Sequence, residues 1–117
     1  MNYFNITEFD SPDQIGSGRV MKESVLDMLD EARAKFDKAI YINSGYRTKA
    51  HNTKVGGKPN SAHLKGYAVD IHCDNSRDRY NLINCLLDVG FTRIGIAKTF
   101  IHVDADPDKD PDVVWTY

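Results

Sequence analysis

The sequence predicts a small α+β domain: a mostly antiparallel sheet with helices on one face. Three observations predict it. Two segments carry apolar residues at helical spacing, and other segments alternate with the period of two that marks strands. The order along the chain is helix, strand, long loop, strand, helix, hairpin, without the strict strand–helix alternation of a parallel sheet. The length of 117 residues suits one domain, residues 1–117.

The opening stretch "EFDSPDQIGSGR" is rich in Asp, Ser, Pro and Gly and reads as an irregular loop. Met21, Val25, Met28, Leu29, Ala32 and Phe36 then recur at helical spacing, which predicts a helix over about Lys22 to Phe36. "AIYIN", Ala39 to Asn43, is β-branched and aromatic and predicts a strand. "SGYR" follows, with Gly45 as a turn residue. From Arg47 to Gly66 the chain is polar and glycine-bearing, and a loop of that length in a small domain is expected to be either functional or disordered. Asn52 is expected to cap or brace it. Gly56, Gly57 and Gly66 are expected where backbone conformations hinder side chains.

"GYAVDIH" alternates. Tyr67, Val69 and Ile71 take one face; Ala68, Asp70 and His72 take the other. "DNSRDRYNLINCLLDVG" begins with cap residues and ends at Gly90, and Tyr80, Ile83, Leu86 and Leu87 give a second helix its apolar positions. "RIGIA" and "FIHVDA" read as a hairpin turning at Lys98 and Thr99. Ile101 and Val103 face the core; Phe100, His102 and Asp104 share the opposite face. The tail "DPDKDPDVVWTY" reads as a loop that Trp115 docks back, and its aspartates as a solvated acidic loop rather than a calcium site.

The composition narrows the function classes. The net charge is -2 and 27% of residues are charged, so nucleic acid and anionic membranes are not favoured partners. No apolar run approaches the length of a membrane span, and a monomer is expected. The start "MNYFNITEFD" lacks the basic and apolar blocks of a signal peptide, so synthesis in the cytoplasm is expected. Two cysteines, Cys73 and Cys85, are too few for a disulfide framework and read as reduced thiols.

Two strands thus present hydrophilic groups on the face away from the core: Asp70 with His72, and His102 with Asp104. The loop before the first supplies His63. Burying so many imidazoles and carboxylates without a partner is costly, and a divalent cation removes that cost. Two imidazole nitrogens and a carboxylate oxygen suit one zinc ion, and a set without cysteine is the open, catalytic kind. Such an ion acidifies a water to a pKa of about 7 and polarises a carbonyl, as amide hydrolysis requires.

The stretch "SGYRTKAHNTKVGGKPNSAHLKGYAVDIH", followed by "FIHVD", resembles the M15 zinc peptidases. These are D-alanyl-D-alanine carboxypeptidases and peptidoglycan endopeptidases, with a fold similar to the hedgehog signalling domain. The likeness spans about Phe9 to Asp106, and the "FDSPD…GSG" opening is similar to short phage or prophage members. The resemblance implies His63, Asp70 and His102 as ligands of a single zinc ion. It implies Arg47 of "SGYR" as a catalytic and substrate-binding residue, and a guanidinium can fork onto a carboxylate. Ser61 and Tyr46 are further candidates for contact with substrate, and Trp115, like Tyr46, is expected either to line the cleft or to serve aromatic packing. The implied substrate is a peptidoglycan peptide, reached through cell lysis or a phage particle.

The chain departs from the family pattern at one place. Many members carry an acid three residues before the last ligand, or a His two before it. Thr99 and Phe100 stand there instead, and neither can act as a base. Asp104 and His72 are the nearest candidates. Asp104 is preferred as the catalytic base that takes the proton of the zinc water and delivers it to the leaving amine; orienting a ligand from behind is its other expected role. The alternative function is a zinc-containing module of the same fold without turnover.

Overall fold

The computed structural model describes residues 1–117. Five strands form one sheet: β1 Ile42–Ser44, β2 Ala68–His72, β3 Arg93–Ile96, β4 Phe100–Asp104 and β5 Val113–Thr116. Their order across the sheet is β1-β2-β4-β3-β5. All pairings are antiparallel except β5, which runs parallel to β3. The helices are α1 Glu23–Phe36, α2 Lys49–Lys54 and α3 Ser76–Asp88. No helix is long and apolar enough to cross a membrane.

The expected core face is the observed one. Val69, Ile71, Ile94, Ile101 and Val103 of the sheet are buried against Val25, Leu29 and Ala32 of α1 and Leu82 and Leu86 of α3. Each large aliphatic side chain removed from water contributes about 1.5–3 kcal/mol, so this layer holds the sheet rigid under the site. α1 matches its expected span to within a residue. The apolar stripe of α3 differs from expectation. Tyr80 and Leu87 are 71% and 47% exposed, because at 100° per residue they lie on the far side of the helix from Leu82 and Leu86, which face α1. The Asn75 side chain caps the helix by accepting from the Asp78 N–H.

The first strand is shorter than expected and starts at Ile42, with Tyr41 at the surface. The hairpin turns at Lys98 and Thr99 as expected, with the Ala97 N–H donating to the Phe100 carbonyl. Two expected loops hold regular structure. "KAHNTK" forms α2, started by the Thr48 side chain, and the tail forms β5. The acidic loop is not fully solvated, since Asp106 is buried and pairs with Lys65 at 2.8 Å. The opening segment is anchored as well: Phe9 is buried, and the Asp10 carboxylate accepts from the N–H groups of Gly16 and Gly18. Both cysteines are free thiols.

Register positions the site. Ser44 pairs with Asp70, Asp70 with His102, His102 with Gly95, and Gly95 with Trp115. These five residues form one row across the whole sheet. Paired residues point to the same face, so the row is delivered to the side opposite the core.

Candidate metal centre

His63 comes from a short 3-10 helix, Ala62–Lys65, that precedes β2. The Ser61 hydroxyl starts it by accepting from the His63 N–H, and Gly66 ends it at φ 77°. The His63 Nδ1–H donates to the Gly45 carbonyl at 2.7 Å, which leaves Nε2 to face Asp70 at 3.3 Å. His102 is held from behind in the same manner. Its Nε2–H donates to Asp104 Oδ2 at 2.6 Å, and its Nδ1 lies 3.0 Å from Asp70 Oδ1. Asp70 completes the set: Oδ1 faces both imidazoles, and Oδ2 accepts from Arg47 Nη2 at 3.1 Å.

One donor atom from each of His63, Asp70 and His102 lies within 4.8 Å of the other two, and all three residues are buried. Each imidazole donates outward, so its free lone pair points inward. A carboxylate held on its other oxygen aims Oδ1 at the same place. That donor set fits a divalent metal ion, and the outer bonds are the usual means of fixing a ligating histidine.

Charge at the centre is balanced by neighbours. Burial alone would raise the Asp70 pKa, but its close contacts with the His102 and His63 rings hold it well below the ordinary carboxylate range. Burial would lower the His102 pKa, yet Asp104 and Asp70 push it above the usual imidazole value. Burial opposes ionisation of Asp104 too, and its bonds to His102 and the Asp106 N–H keep it below the usual range. Arg93 donates from Nε to Asp104 Oδ1 at 3.0 Å. A guanidinium therefore stands at each end of the chain Arg93–Asp104–His102 and Asp70–Arg47.

The centre opens into a cleft of about 680 Å³. Arg47 and Ser61 line it as expected. Tyr46 does not: its ring packs against the core, and aromatic lining comes instead from Phe100, Trp115 and Tyr117. Trp115 lies 5.4 Å from the His102 ring, and Arg93 sits over its face. Gly95 makes this possible, since a Cβ there would come within 2.7 Å of the indole. Asp104 is brought to the site, but both its oxygens already accept, from Arg93 and the Asp106 N–H on one side and from His102 on the other. His72 stays at the surface near Asp74 at 3.6 Å, apart from the three candidate ligands.

Arg93 and the place of Asn52 beside Arg47 were not expected from the sequence. The alternation in "RIGIA" puts Arg93 on the face of Gly95 and was a usable signal. The partners of Asn52 depend on tertiary structure.

A cleft floored by two imidazoles and a carboxylate fits a metal-dependent hydrolase. The family model described as Peptidase M15 matches residues 2–104, and the chain belongs to that family. The match includes all three candidate ligands and ends before β5. No curated protein matches the chain significantly.

Proposed function

We propose that the protein is a zinc-dependent peptidase acting on the peptide part of peptidoglycan, as a carboxypeptidase or an endopeptidase. The observation that carries this is the convergence of His63 Nε2, Asp70 Oδ1 and His102 Nδ1 at the floor of an open cleft in an M15 domain. A bound zinc ion would supply Lewis acidity toward a water and the scissile carbonyl. His63, Asp70 and His102 would hold it. Gly45 and Asp104 keep the two imidazoles in the tautomers that ligation needs. Arg47 uses three of its five N–H groups on Ser44, Asn52 and Asp70. Arg47 lines the cleft, and its remaining two N–H groups would serve a substrate oxygen. Ser61 braces the 3-10 helix that carries His63 and lines the cleft beside it.

In this reading Asp104 orients His102 and is not the base, because it is bonded to Nε2, behind the ring, while Nδ1 faces the other candidate ligands. The same observation favours a second reading, a zinc-containing module without turnover. Incubating zinc-loaded protein with muropeptides, with and without a chelator, separates them. Chelator-sensitive release of a peptide fragment supports the peptidase. Stoichiometric zinc without release supports the module.

A further inference from the structure

Asn52 is buried on α2 and uses both ends of its amide. Its Oδ1 accepts from Arg47 Nη1 at 3.3 Å, and its Nδ2 donates to the Lys58 carbonyl at 2.9 Å. Its backbone carbonyl accepts from the Gly57 N–H at 2.8 Å. The segment from Val55 to Asn60, which lines the cleft, is thus tied to one residue. Gly57 permits the approach. A Cβ there would lie 2.0 Å from Asn52 Oδ1, and its φ is outside the left-handed region, so space rather than backbone freedom requires glycine.

Arg47 is a flat group with three anchors: Nε on Ser44 Oγ, Nη1 on Asn52 and Nη2 on Asp70. Ser44 alone fixes one point of the plane. The Asn52 oxygen fixes a second, and together they aim Nη2 at Asp70 Oδ2. That bond in turn decides where Asp70 Oδ1 points. We propose that Asn52 is a positioning residue: through Arg47 it sets the orientation of the ligand Asp70, and through Lys58 it couples that orientation to the cleft wall. The proposal rests on the reading that His63, Asp70 and His102 hold a metal ion.

The test is metal affinity by chelator competition, with the visible absorption of the cobalt(II)-loaded protein as a readout of ligand geometry. Asn52→Ala should weaken zinc binding roughly 3- to 10-fold, less than the roughly 10- to 100-fold typical of partners that touch a ligand directly. It should also change the cobalt spectrum. On an Arg47→Ala background it should do neither, because the link is already cut. Gly57→Ala leaves Asn52 in the sequence but crowds its oxygen, and should reproduce the weakening even if Asn52→Ala fails to fold. Equal weakening with and without Arg47, or an unchanged spectrum in Asn52→Ala and Gly57→Ala, overturns the proposal and leaves the metal reading intact. Failure of the unaltered protein to bind either metal overturns both.

Discussion

The Nε2–H of His102 donates to Asp104 Oδ2 at 2.6 Å, and this bond turns Nδ1 of the same ring toward Asp70. The two residues are neighbours but one on the same strand, so the alternation of β4 puts both on the site face. Arg93 and the Asp106 N–H hold the carboxylate in turn. In the proposed reading Asp104 acts on the centre through His102. Asp104→Asn keeps the shape and loses the charge. It should weaken zinc binding about 10- to 100-fold while the protein still folds, as read by chelator competition and circular dichroism. Unchanged zinc affinity with abolished peptide cleavage would instead identify Asp104 as the base.

Arg47 and Asp70 form a largely buried ion pair. Removing one partner leaves the other charge without compensation. Arg47→Ala should cost the metal-free protein about 3 kcal/mol, measured by urea unfolding. A loss below about 0.5 kcal/mol, the size of an ordinary surface change, would show that the pair does not hold Asp70.

Trp115 is the single tryptophan of the chain, so intrinsic fluorescence reports on the cleft. Gly95→Ala places a methyl group against the indole and should shift its emission toward longer wavelength, with a loss of about 1–3 kcal/mol from overpacking. Emission and stability both unchanged would mean that Trp115 does not lie over Gly95.

The metal-free protein should be most stable in mildly acidic solution. Asp70 and Asp104 are held below their ordinary value of 3.8, so their contribution is present above that pH and is lost as pH falls through their folded values. His102 is raised above its ordinary 6.5, so its contribution is complete below 6.5 and is lost as pH rises through its folded value. Both are present between about pH 4 and 6.5. Melting temperatures across pH 3 to 9 should peak there, and a maximum above pH 8 would contradict the arrangement.

The layers of the fold were legible in the sequence where periodicity is long. α1 shows several turns of spacing, and β2 and β4 show clean alternation that sets His102 and Asp104 opposite Ile101 and Val103. Short elements were not legible. α2 has six residues, too few for a periodic signal, and it depends on Thr48 and on the burial of Asn52. β5 has four residues, and its pairing with β3 is a tertiary matter, although "VVW" carries strand propensity. The three candidate ligands could be picked out by residue type and spacing. Of the partners behind them, Arg93 could be placed on the site face by the alternation of "RIGIA", whereas the Gly45 carbonyl could not, because backbone carbonyls leave no mark in a sequence.

Zinc-edge anomalous diffraction from crystals of the zinc-loaded protein tests the central claim most directly. The account predicts one strong peak per chain, about 2.0–2.2 Å from His63 Nε2, Asp70 Oδ1 and His102 Nδ1. A map without a peak among these atoms, or with the ion bound elsewhere, would contradict it.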